Sequence, residues 1–245
     1  MCKPKNDLRP FVWGKTDYVA YRFDYYSIGD AFDQIATEMQ SVISEASFSK
    51  HKLNRCDLDV IDLDTMAFNL KLSLDEVNNE IVFHFRHIAA AEKVEYEVYI
   101  GRFFTQLIFR KLDATVELNF DKFRSLLDCL LHLKSLNLVR MTCIVHSIME
   151  DTIDNMSRIV EENVISELKN NNLSYSTYAD SRDVDDIQLE SKRVMNLQEE
   201  KKILKLEMTG LGYYKTITEQ NFLNSYNPLF DVVLLENTRY FRNDT

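Results

Sequence analysis

Asp121-Lys-Phe-Arg-Ser-Leu-Leu-Asp-Cys-Leu-Leu-His-Leu133 lies at the head of the stretch whose reading decides the fold. From Asn119 to Lys169 the chain has neither Gly nor Pro, and the first half of that run is apolar almost throughout. With no helix breakers and recurring Leu, Ile, Val and Met, the run reads as helix. Phe123, Leu126, Leu127, Leu130 and Leu131 share one helical face behind Asp121 as N-cap. From Leu136 to Met149 apolar residues fall on nearly every side, as in a helix covered all round. Beyond Glu150 they thin to Ile153, Met156, Val160, Val164 and Leu168, as in a helix with one wet face. Lys134-Ser-Leu-Asn137 is either a tight turn between two helices or solvated helix.

Upstream of this run the periodicity changes. Val19, Tyr21, Phe23 and Tyr25 alternate with Ala20, Arg22 and Asp24, the period of a strand with one buried face, and Gly14 offers a hairpin turn before it. Ser27-Ile-Gly-Asp30 caps a helix reaching Ala46, with Ile28, Phe32, Ile35, Met39, Val42 and Ile43 on one stripe, and Ser47 to Asn54 reads as a polar connection. Cys56 to Leu63 implies a bulged strand, and Phe68 to Leu74 with Ile81 to Phe85 a hairpin turning at 75–79. Val94 to Ile100 alternates again. Phe103 to Leu112 fits a strand or a helical face, its aromatic and β-branched content favouring strand, and Val116 to Phe120 adds a short one.

Downstream, Ser174 to Asp186 is polar and acidic and reads as an exposed linker. Gln188 to Met208 reads as helix with Val194, Leu197, Leu204 and Met208 on a heptad-like seam, stopped at Thr209-Gly210. Val232 to Leu235 has strand character. No internal repeat of fixed period stands out. The expected fold is α+β: a mainly antiparallel sheet with one packed helix in residues 1–120, a long helical region over 121–208 with its acidic linker near 174–186, and a C-terminal strand and tail at 209–245.

The 245 residues are 45% hydrophobic and 11% aromatic, ample for a real core, and the formal net charge is −10. Residues 81–140, with 9 Lys and Arg against 7 Asp and Glu, form the middle segment of the chain and have a positive balance. There is no apolar leader and no membrane span, and four cysteines follow no disulfide spacing, so the expectation is an intracellular protein, cytoplasmic or nuclear.

Cys129-x-x-His132 and Cys143-x-x-His146 carry zinc-ligand residue types. On antiparallel helices turning near residue 136 the two histidines would sit roughly 9 Å apart along the axis, so no metal or cofactor is expected. Asp57-x-Asp59 and Asp62-x-Asp64 offer carboxylate pairs for a hard cation in a transfer enzyme, against the plainer reading of a solvated edge strand. Ser47-x-x-Lys50 matches a nucleophile spacing in a polar stretch, and His84 and His87 differ in parity and project to opposite faces. Arg86, Arg102, Phe103, Phe104, Arg110 and Lys111 mix cations with rings, as single-stranded nucleic acid requires, or as any core with a charged outer face provides.

The functional expectation is a non-catalytic scaffold or adaptor subunit of an intracellular assembly, virus-encoded or nuclear, with protein partners or self-association. Its helical interface would be Ile153, Met156, Val160, Val164, Val194, Leu197 and Leu204. The alternative is a single-stranded nucleic-acid-binding protein using residues 81–124, and the third reading a metal-dependent transfer enzyme using Asp57 and Asp59.

Overall fold

The computed structural model describes residues 7–25, 37, 47–52, 81–116, 138–162, 166, 175–198, 202–215 and 226–242. In chain order these hold α1 (Arg9–Gly14), β1 (Thr16–Tyr25), β2 (Ser47–Lys52), β3 (Ile81–Ala89), β4 (Val94–Ile100), β5 (Phe104–Lys111) and β6 (Leu138–Thr152). There follow α2 (Ile153–Ile159), β7 (Tyr175–Val184), β8 (Ile187–Gln198), β9 (Ile203–Tyr214), α3 (Tyr226–Asn237) and a 3-10 turn over Thr238–Tyr240. The described chain is mostly antiparallel sheet and carries no long helical region, which corrects the expected fold.

The chain divides into two compact units, one of residues 20–142 and 214–227, the other of residues 1–19, 143–213 and 228–245. In the first, the strand order is β2-β3-β4-β5-β1, with β2, β3, β4 and β5 joined antiparallel in sequence. Its core includes the face carrying Phe83, Phe85, Val94, Val98, Ile100, Leu107 and Phe109, all buried. In the second, the order is β6-β9-β8-β7. Each unit thus sets its first long strand beside its last, with a meander between.

In the second unit α3 lies on one face of the sheet. Leu229, Phe230, Val233 and Leu234 are buried while Pro228, Asp231 and Leu235 are exposed, the one-sided spacing of a packed helix. It approaches β9 where that strand has no side chains: a Cβ at Gly212 would sit 2.5 Å from Val233 Cγ2, and one at Gly210 2.5 Å from Asn237 Oδ1. Asn237 Nδ2 donates to the Val145 carbonyl at 3.1 Å, tying the helix to β6. Trp13 and Phe11 of α1 meet Phe230 and Phe241 edge-on, with centroids 5.7 and 5.3 Å apart.

The sequence expectations fare unevenly. Strands were expected at 19–25, 81–85, 94–100 and 103–112, and β1, β3, β4 and β5 stand there. Of residues 136–149, expected as helix, the described 138–149 form most of β6, because a strand buried on both faces is apolar on both parities and mimics a helix covered all round. The wet-faced helix expected beyond Glu150 is the short α2, capped by Thr152, whose side chain accepts from the Asn155 amide. The acidic linker is β7, and the 188–208 helix is β8 and β9. Ser47 to Lys52 is β2 rather than a connection, Gly14 ends α1 rather than turning a hairpin, and Val232 to Leu235 lies inside α3. The expected helices at 27–46 and 121–133 and the strands at 56–74 and 116–120 lie outside the described residues, apart from Thr37, which is helical, and Val116, which is in no strand.

Candidate functional site

The register fixes which side chains of the first unit share a face. His84 lies opposite Tyr99 and Arg86 opposite Glu97 across β3 and β4, while Glu97 lies opposite Ile108, Tyr99 opposite Gln106 and Glu95 opposite Arg110 across β4 and β5. One face is therefore apolar, and the other carries His84, Arg86, Glu95, Glu97, Tyr99, Gln106 and Arg110. Glu97 is the centre of a cluster: the Tyr99 hydroxyl donates to its Oε2 at 3.1 Å, His84 Nε2 stands 3.7 Å from the same oxygen, and Arg110 Nε stands 3.7 Å from Oε1. The His84 ring stacks on Tyr99 with centroids 4.3 Å apart. Arg86 donates to Glu95 alongside.

In the same unit Arg22 and Asp24 of β1 are buried, each side chain 4% exposed, with Arg22 Nε donating to Asp24 Oδ1 at 2.6 Å. Arg140 Nε reaches Asp24 Oδ2 at 3.4 Å, and the Arg22 guanidinium lies 4.7 Å over the Phe104 ring. Gln106 is fully buried, and neither its Nε2 nor its Oε1 makes a hydrogen bond. A buried orphan amide costs desolvation without compensation. Gln106→Met, close in shape and free of polar demand, is expected to raise the unfolding free energy by about 1 kcal/mol, read from urea melts.

The neighbouring His84 ring, then the charge of Arg110 and the Tyr99 hydroxyl, hold the Glu97 carboxyl below its usual range against the opposing effect of burial. A depressed carboxylate contributes stability that is present above its unfolded value and lost as pH falls through its folded one. The wild type is therefore expected to lose more stability than Glu97→Gln as pH is lowered through the carboxylate range, measured by thermal melts at stepped acid pH.

The cation and ring set singled out from sequence is not brought together as one surface. Arg86 is exposed and Arg110 half-buried on the polar face, each beside a glutamate. Arg102 is exposed and Phe103 half-buried in the bend before β5, and Phe104 is fully buried. Lys111 lies opposite Val94 on the other face, where burial pulls its ammonium down to about 8. Of the expected helical interface, Met156, Val160 and Leu204 are buried, and Ile153, Val194 and Leu197 half-buried on α2 and β8. Val164 lies outside the described residues, as do Asp57, Asp59, Asp62, Asp64, Cys129 and His132.

Ser47 and Lys50 fall on β2, and His84 and His87 on opposite faces of β3. Cys143 and His146 lie on β6, where a spacing of three places them on opposite faces, so the two-helix geometry does not apply to them. Cys143 is buried, while the His146 ring stacks 4.7 Å from Tyr18, with Nδ1 3.6 Å from Asp17. Among the described residues no group of three His, Cys, Asp or Glu side chains is placed to hold a metal ion, and no helix is long and apolar enough to cross a membrane.

Sequence reasoning missed Arg22, Asp24 and Gln106, because polar residues alternating with Tyr21 and Phe23, or with Leu107 and Phe109, read as the solvated side of a strand. It also missed the second face of the second unit. On β9 Leu204, Leu206, Met208, Gly210 and Gly212 are buried toward α3, and Ile203, Lys205, Glu207, Thr209, Leu211 and Tyr213 are half-buried on the opposite side. No family model matches the chain, and no curated protein matches it.

Proposed function

We propose that the protein is a non-catalytic scaffold or adaptor subunit of an intracellular assembly, and that it presents the face of β8 and β9 turned away from α3 to a protein partner. The observation that carries this reading is the composition of that face. Leu211 and Tyr213 of β9, next to Thr209, are half-buried in the second unit with Val194 of β8, bordered by the Lys205–Glu207 ion pair on β9 and the exposed Glu190, Lys192 and Asn196 on β8. Apolar and aromatic side chains ringed by polar ones make the usual surface of a protein interface. The charged groups of the first unit, engaged with one another, support a structural rather than a chemical role. The nucleic-acid reading loses support where Arg86 and Arg110 are matched by Glu95 and Glu97.

The test is affinity capture from the native source with the wild type and with Leu211→Arg, a half-buried position where the longer side chain reaches solvent. The expected result is a stoichiometric protein partner retained by the wild type and lost by the folded variant. Equal recovery by both, or a tight complex with a single-stranded oligonucleotide at physiological salt, overturns the reading.

A further inference from the structure

We propose that β7 is a self-pairing edge: it adds, antiparallel and centred on Ser181, to the β7 strand of a second copy of this chain. Among the described residues β7 ends the strand order of its unit, and Ala179, Ser181, Arg182 and Asp183 are exposed along it. It joins β8 through the two-residue turn Asp185-Asp186, with Asp185 in the left-handed region at φ 52°, and its register runs Val184 to Ile187, Arg182 to Leu189 and Asp180 to Ser191. A two-residue hairpin makes its closing pair a hydrogen-bonded one, so the even-numbered residues of β7 turn their backbone groups toward β8 and Thr177, Ala179 and Ser181 turn theirs outward. Ser181 shows this directly: its amide donates to Asp180 Oδ1 at 2.9 Å, away from β8.

Charge selects the occupant. Antiparallel pairing about Ser181 sets Asp180 opposite Arg182 of the second copy and Arg182 opposite Asp180 of the second copy, two cross-strand ion pairs of opposite sign on one face. Centring on Asp183 sets that carboxylate against its own copy, centring on Ala179 sets no cation opposite Asp180, and a parallel in-register pairing opposes like charges throughout. Charged side chains on an edge ordinarily repel foreign strands; here they complement one partner in one register. Within the chain Arg182 already leans on Glu236 and Asp180 stands 3.5 Å from Arg239, which holds both on the α3 side where their counterparts would arrive.

The experiment is sedimentation equilibrium of the full chain at micromolar concentrations. The wild type is expected to dimerise; Asp180→Arg and Arg182→Asp are each expected to weaken the dimer at least tenfold, and the double variant to restore it. Ala179→Pro, which removes an outward amide and leaves both charges in place, is expected to weaken it as well, with circular dichroism confirming the fold of every variant. A monomeric wild type, a dimer indifferent to these changes, or a folded double variant that stays monomeric overturns the proposal. The edge is separate from the Leu211 face, so a monomeric wild type leaves partner capture by that face standing.

Discussion

Asp24→Asn is expected to lower the unfolding free energy by about 3–5 kcal/mol, the usual cost of removing one member of a buried ion pair. Asp24 and Arg22 are each 4% exposed, and the carboxylate also receives Arg140. The amide keeps the shape but not the charge, leaving the Arg22 guanidinium in a low-dielectric site beside the Phe104 ring without the carboxylate charge it was paired with. Replacing both partners with apolar residues, as in Arg22→Met with Asp24→Leu, is expected to recover most of that loss, since buried pairs are offset by their own desolvation. Urea melts of the two singles and the double form the cycle. A loss below about 1 kcal/mol for Asp24→Asn, the range of exposed pairs, would show that water reaches this pair.

Gly212→Val is expected to cost about 3 kcal/mol, at the upper end of overpacking in a close-fitted interior. Its Cβ alone would fall 2.5 Å from Val233 Cγ2, with Leu189 Cδ2 at 3.1 Å and Leu229 Cδ1 at 3.3 Å behind it. A valine methyl is short and stiff, so relief requires α3 to lift from β9. Gly212→Ala should lie between, and Leu235→Gln, on the exposed side of the same helix, should be nearly neutral. A wild-type melting curve for Gly212→Val would mean that α3 is not seated on this strand.

What the sequence made legible follows from which faces are buried. β1, β3 and β4 alternate cleanly because one parity carries Val19, Tyr21 and Phe23, or Phe83 and Phe85, or Val94 and Val98, and the other carries polar groups. β8 hides its parity: the buried positions are Ile187, Leu189, Ser191, Arg193 and Met195, and two of the five are polar. Ser191 is satisfied by the Tyr240 hydroxyl at 2.6 Å and Arg193 lies 4.4 Å over that ring, partners that come from the C-terminal turn and cannot be read locally. What remained visible was Val194, Leu197, Leu204 and Met208, whose spacing imitates a heptad seam.

β9 alternates correctly until Gly210, which with Thr209 reads as a helix stop although Gly210 and Gly212 are the seat of α3. Nor does a search for a fixed period find the repeated strand order. Asp30-Ala-Phe-Asp33 and Val42-Ile-Ser-Glu45 correspond to Asp151-Thr-Ile-Asp154 and Val164-Ile-Ser-Glu167, but the spacing shifts by one residue between the two matches. The candidate surface was illegible for the same reason as the fold, because its residues share a face only once β8 and β9 are known to be strands.

Setting the first strand of each unit beside its last has a kinetic side. The hairpins β3-β4, β4-β5 and β7-β8 close over turns of a few residues, whereas β1 ends at Tyr25 and must wait for β5 to begin at Phe104, and β6 ends at Thr152 and must wait for β9 to begin at Ile203. By the logarithmic cost of loop closure, the wider of these gaps is entropically dearer than a tight hairpin by about 2–3 kcal/mol. A chain emerging from the ribosome therefore holds β1, with Val19, Tyr21 and Phe23, and later β6, with Met141, Cys143 and Val145, as apolar ribbons lacking the strand that will flank them. β1, buried along nearly its whole length in the finished protein, is thus among the strands exposed longest while it is made.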